Sequence, residues 1–199
     1  MANPVKLKDL YGRVSKLLGK AIGRKLTSIE CCLLIDEAAV TIVAGNIRRS
    51  AGMRQFSSDD TSAAGAKENL WQQDSEGNWR IDPERDALRM ANHTRVYHTR
   101  PSRDVLLEAV TRQFHSGEGA IQFAPEALAR SNADLLTSKE LREEFIEIYC
   151  DQGRQEAGLW LQQNHGPISE EELEHRLSRY GLNPCGEILG ADFHCNLAE

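Results

Sequence analysis

The stretch Asn183-Pro184-Cys185-Gly186-Glu187, with a second cysteine ten positions after the first in Phe193-His194-Cys195-Asn196-Leu197-Ala198-Glu199, decides how this chain is read. Five residues offer an amide that can hold a hydroxyl, a thiol that can carry an electron or a radical, and a carboxylate that can take a proton. On a fully extended strand Asn183 and Glu187 would stand about 13 Å apart at ~3.3 Å per residue, too far for both to touch one small substrate. The segment therefore has to curl. Pro184 turns Asn183 away from the helical region, and Gly186 takes a left-handed conformation at little steric cost. A competing reading of the same residues is an Asn-Pro turn around a buried structural cysteine.

Two further segments accompany this loop in order: Val43-Ala44-Gly45-Asn46-Ile47-Arg48-Arg49-Ser50-Ala51 upstream, and Cys195-Asn196-Leu197-Ala198-Glu199 downstream. With Asn183-Pro184-Cys185-Gly186-Glu187-Ile188 they resemble the catalytic chain of ribonucleotide reductases, most closely the adenosylcobalamin-dependent, monomeric, triphosphate-reducing branch. The resemblance spans nearly the whole chain. It implies an α/β fold, a part of a ten-stranded α/β barrel, and an enzyme that turns ribonucleoside triphosphates into 2′-deoxyribonucleoside triphosphates by thiyl-radical chemistry.

The roles follow residue by residue from that resemblance. The cobalt–carbon bond of adenosylcobalamin breaks to a carbon radical that takes hydrogen from Cys185. The resulting thiyl removes the 3′-hydrogen of the ribose, Glu187 takes the 3′-hydroxyl proton, and Asn183 hydrogen-bonds the substrate. Cys195 and a cysteine outside this chain supply two electrons, and a thioredoxin-like reductant restores them. An enclosed site is expected, since solvent quenches radicals. Alternatives from the same residues are the large subunit of a reductase fed by a separate metal-containing radical subunit, and a non-catalytic redox or metal module using Cys185, His194 and Cys195.

At 199 residues the chain is one domain's worth, several times shorter than the family it resembles. We read it as an internal piece of a single catalytic barrel domain, residues 1–199, with a polar excursion over 57–89, its gene split or interrupted by inteins. Its partners would then include the remaining fragments of the same enzyme. A net charge of −6 gives no support for nucleic acid or a membrane surface as partner. The longest apolar run, Cys31 to Ile35, ends at Asp36 and Glu37, so no membrane span is expected and the chain reads as cytosolic. Five cysteines with no Cys-x-x-Cys pair point to catalytic or buried thiols rather than a disulfide framework.

The periodicities give the rest. Pro4 to Ile22 reads as a basic amphipathic helix, and Thr27-x-x-Glu30 as the capping box of the next, which carries Cys31 and Cys32 as small buried hydrophobes. Arg48, Arg49 and Arg54 form either a wall near a ligand or a strand end paired with Asp59 and Asp60. The excursion is expected to hold a short helix around Lys67 to Gln73, anchored by Trp71 and Trp79. Met90 to Tyr97 reads as a strand with a structural His93, Ser102 to His115 as an amphipathic helix closed by Gly117, and Ala120 to Ala124 as a buried strand. Helices capped at Thr137 and Ser169, with a helical patch over Leu159 to Gln163 between them, lead into Asn183.

Overall fold

The computed structural model describes residues 4–41 and 52–191. Arg48, Arg49 and Cys195 lie outside those residues, as does His194. The chain folds as two compact units, one drawn from Met1–His93 and Arg112–Ala120, the other from Thr94–Thr111 and Ile121–Glu199. Both contain helices and strands, an α/β chain; among the described residues the strands form one three-stranded sheet and two hairpins, with no closed barrel.

The first unit begins with α1 (Pro4–Lys20) packed on α2 (Ser28–Thr41). The expected capping box is present in both directions: Glu30 N–H donates to Thr27 Oγ1 at 3.2 Å, and Thr27 N–H donates to Glu30 Oε2 at 2.8 Å. The apolar floor between these helices is Leu33, Ala66, Ala87 and Leu88, with Leu17, Ile29, Cys32 and Val40 packed against it. Cys32 is half-buried and its thiol is pushed up by burial, as expected of a packing cysteine, but Cys31 is exposed. The basic face of α1 is partly paired: Arg13 reaches Glu37, and Lys16 and Lys20 both reach Glu84.

Two carboxylates in this unit carry a pH dependence. The Arg24 guanidinium and the Thr27 N–H hold the Glu30 carboxyl down to about 2, and Lys16 and Lys20 do the same for Glu84. Both ionise below their ordinary value of 4.5, so what they contribute is complete above that value and is lost as the pH falls from there to about 2. A Glu30→Gln, Glu84→Gln variant is expected to lose less stability than the parent chain across that window. Urea midpoints followed down the acid limb check this.

Chain order then gives β1 (Gly52–Ser57), α3 (Thr61–Ala64), β2 (Trp71–Gln73), β3 (Trp79–Ile81), a single 3-10 stretch (Asp86–Met90) and β4 (Ala91–Tyr97). The excursion differs from its expected form in two respects. Its short helix comes earlier, at Thr61–Ala64, because Asp60 Oδ1 accepts the Ala63 N–H and fixes the helix start there. Trp71 to Gln73 is instead a strand of an antiparallel hairpin, Trp71 opposite Ile81 and Gln73 opposite Trp79, turned by the Asp74–Asn78 loop with Gly77 at φ 84°. Trp71 and Trp79 are 56% and 65% exposed, so they do not anchor the excursion to a core.

Arg54 is also corrected. It pairs with Asp36 of α2 and meets His93 of β4, not Asp59 or Asp60. Asp60 is engaged in capping α3 and in accepting the Ser28 hydroxyl. His93, 3% exposed and edge-on to Phe56, is a packed interior residue. Six of the seven residues of β4 are buried, which requires cover on both faces of the strand.

β1, β4 and β5 (Ala120–Phe123) lie side by side in the order β1-β4-β5. Between β4 and β5 runs α4 (Arg103–Ser116), capped by Ser102 Oγ on the Val105 N–H and followed by Gly117 at φ 70°. The strand–helix–strand unit is the building block of α/β folds. Its helix is amphipathic as expected, yet Leu107, Val110 and Phe114 are exposed and Ala109 alone is buried. Periodicity determines which residues share a face, not whether anything covers that face.

In the second unit, α5 (Ala124–Ser131) was not anticipated; the expected strand ends one residue short and Pro125 sits in the first turn of a helix, where its missing N–H costs nothing. α6 (Lys139–Gln152) is capped by Ser138, one residue past Thr137. α7 (Arg154–His165) starts directly after Gly153 and runs through Gly158, where a Cβ would come 3.0 Å from Leu177 Cδ1. α8 (Glu170–Arg176) is capped by Ser169 as expected. Their shared core is Leu128, Leu136, Phe145, Ile146, Tyr149, Leu161 and Leu177. Buried Asn132 joins two helix ends, donating to Leu128 O at 2.9 Å and to Arg176 O at 3.2 Å. The last two strands, β6 (Gly181–Leu182) and β7 (Leu189–Gly190), form an antiparallel hairpin.

Candidate functional site

The hairpin of β6 and β7 holds the Asn-Pro-Cys-Gly-Glu stretch as its connecting loop. Gly181 stands opposite Gly190 and Leu182 opposite Leu189. At the base the two backbones run so close that a Cβ on Gly181 would sit 2.7 Å from Gly190 O, a separation that only glycine permits. The chain therefore re-crosses itself immediately, and residues 183 to 188 have to close a tight turn.

Asn183 closes it. Its N–H donates to Ile188 O at 3.2 Å and its carbonyl accepts the Gly186 N–H at 2.9 Å. Its side-chain Oδ1 accepts two more, from Glu187 N–H at 3.0 Å and Ile188 N–H at 3.1 Å. Gly186 takes the left-handed conformation at φ 80°. The curl that the sequence called for is thus built from one buried asparagine, 5% exposed, and one glycine. Its side-chain oxygen is committed to the loop, which leaves the side-chain nitrogen for any hydrogen bond beyond it.

Replacing Asn183 by Ala removes the acceptor for both amides. Loss of two such bonds costs on the order of 1–3 kcal/mol locally, and hydrogen exchange at Glu187 and Ile188 is expected to accelerate while the α6 and α7 amides keep their protection. Unchanged exchange at those two positions would contradict the geometry.

Cys185 and Glu187 stand at the tip of the loop, and both are exposed. An enclosed thiol was expected; the described residues leave it open, and the loop's hydrogen bonds to Asn183 run inward, away from the sulfur. Cys185 is exposed where Cys32 and Cys150 are half-buried. Cys195, expected to supply electrons together with a cysteine outside this chain, lies outside the described residues. Among the described residues no three His, Cys, Asp or Glu side chains converge as a metal site, and no helix is long and apolar enough to cross a membrane.

Below the loop an aromatic group fills the space at the end of β4. His98 Nδ1 lies 3.1 Å from the Tyr149 hydroxyl, and the His98 ring meets Tyr180 edge-on at 5.6 Å. Gln122 of β5 donates from Nε2 to Tyr180 O at 2.8 Å. Neither Gln122 nor His98 is marked by a motif; only the pairing of distant segments brings them to the hairpin.

No family model matches this chain, and no solved structure matches it. Among curated proteins it is similar, at 25% identity over 201 aligned positions covering the whole chain, to an adenosylcobalamin-dependent ribonucleoside-triphosphate reductase of Lacticaseibacillus paracasei. A stretch of 59 residues, 30% of the chain, is 32% identical to the protein of the same description from Levilactobacillus brevis, and covers 8% of it. The chain spans 20% of the length of the relative that it matches end to end.

Proposed function

We propose that this chain carries the catalytic loop of an adenosylcobalamin-dependent ribonucleoside-triphosphate reductase and works together with the rest of that enzyme. The observation that carries the reading is the loop closed by Asn183, which sets Cys185 and Glu187 at one tip. Alignment of the whole chain with a reductase of that description supports it.

Adenosylcobalamin, when bound, supplies a carbon-centred radical. No residue of this chain is assigned to holding the corrin. Cys185 Sγ exchanges a hydrogen atom with C3′ of the ribose. The Glu187 carboxylate accepts the 3′-hydroxyl proton, a transfer worth about 10²–10⁴ in rate when the base is well placed. Asn183 Nδ2 orients the substrate hydroxyls. The open tip is covered by the remaining polypeptide and by the substrate, which together keep water from the radical. The 2′-hydroxyl is protonated and leaves as water, Cys195 and a cysteine elsewhere in the enzyme supply the two electrons and the hydrogen that replaces it, and the disulfide they form is reduced by a thioredoxin-like dithiol.

The test is formation of deoxyribonucleotide by the full-length polypeptide that includes this sequence, given adenosylcobalamin and a dithiol. Ribonucleoside triphosphates are expected to be reduced. Turnover only after addition of a separate metal-containing subunit would transfer the chain to the other reductase type, and no turnover with either would end the reading.

A further inference from the structure

A hairpin with two residues in each strand does not hold its own position, so something outside it must fix where Cys185 stands. α5 packs against β7, the Tyr180 ring meets His98, and one side chain bonds directly to the backbone leading into β6, through Gln122 Nε2 and Tyr180 O at 2.8 Å. Tyr180 is one residue before the glycine pair at which the strands nearly touch, and three before Asn183, which shapes the loop.

We infer that Gln122 is a positioning residue for the Cys185 loop: its amide, set on β5, fixes the Tyr180 carbonyl and through it the height and direction of the hairpin. The distribution of rigidity supports this. β5 is part of the three-stranded sheet beside the buried β4, whereas Gly181, Gly186 and Gly190 leave the hairpin few side chains with which to anchor itself. A hydrogen bond from a sheet residue to the backbone at the foot of a lever transmits that rigidity to the tip. His98, held by the Tyr149 hydroxyl on α6, supports the same foot from the ring side. Through the Tyr180 carbonyl, Gln122 acts on Cys185 by setting where the hairpin stands. The inference takes its functional meaning from the reductase reading, but its structural content stands without it.

The experiment compares Gln122→Leu, which keeps the bulk and removes the donor, with Gln122→Glu, which turns the donor into a second acceptor facing the carbonyl. In the full-length protein, iodoacetamide labelling is followed cysteine by cysteine by peptide mass spectrometry, and hydrogen exchange is followed over the hairpin. Expected are a several-fold change in the labelling rate of Cys185 with Cys31 unchanged, and faster exchange over the hairpin with α6 and α7 unchanged. Steady-state kinetics should show kcat down about tenfold or more with KM little moved, as for a displaced reacting group. Gln122→Glu should exceed Gln122→Leu in each. Unchanged labelling of Cys185 overturns the inference, as does a parallel rise at Cys31 with general loss of protection, which would make Gln122 a mere fold residue. If the unsubstituted protein reduces no nucleotide, the labelling and exchange arms still decide the positioning role.

Discussion

Cys185→Ala is expected to abolish nucleotide reduction by the full-length enzyme while leaving its fold untouched. The two halves of that expectation have separate grounds. The sulfur is at an exposed loop tip, outside both apolar clusters, so its removal should alter stability by no more than about 0.5 kcal/mol. In the proposed chemistry no other group in the loop can exchange a hydrogen atom with an unactivated carbon, and turnover should fall by at least about a thousandfold, as when a covalent catalytic group is deleted. Deoxynucleotide formation and a thermal melt, measured on one preparation, separate the two. A variant that melts normally and retains full turnover would remove the thiol from the mechanism.

Gly181→Ala should silence the enzyme nearly as completely without touching any reacting group. The added methyl would sit 2.7 Å from Gly190 O, against backbone rather than the end of a flexible side chain, so the strands themselves have to part. Forced repacking of this kind costs about 1–3 kcal/mol. Opening the base of the hairpin also releases the Glu187 and Ile188 N–H donors that Asn183 Oδ1 holds above it. Reduction should collapse while the α6 and α7 core, built around Phe145 and Leu161, keeps its helical signal. Gly12→Ala, where a methyl meets nothing within 4 Å, is the control and should leave turnover intact.

Features governed by bonds between near neighbours were legible in the amino-acid order. The Thr27 and Glu30 box, the Ser169 cap and the curl at Asn183 all depend on groups within five positions of one another, and each is found; the strand expected over Met90 to Tyr97 is found at Ala91–Tyr97, although its partners β1 and β5 lie far along the chain. What was not legible depends on partners far along the chain. Nothing local says that Arg54 meets Asp36, that Gly158 lies under Leu177, or that Gln122 reaches Tyr180. The exposed tryptophans show the converse limit: an aromatic residue in a polar segment suggests an anchor, yet two-stranded pairing placed Trp71 and Trp79 toward solvent. The α5 helix was hidden because Ala120 to Ala124 satisfies a strand pattern up to the residue before Pro125, and proline opens a helix as readily as it ends a strand.

The Asn183 clamp also bears on how this loop ages. Asparagine decays to aspartate when the backbone nitrogen of the next residue attacks the side-chain amide and closes an imide ring. Here that nitrogen belongs to Pro184 and carries no hydrogen, while the amide oxygen is held by two donors from the far side of the turn. The residue that shapes the loop is therefore shielded from the spontaneous chemistry that most often erodes asparagine turns, and the site should keep its form over the lifetime of the protein.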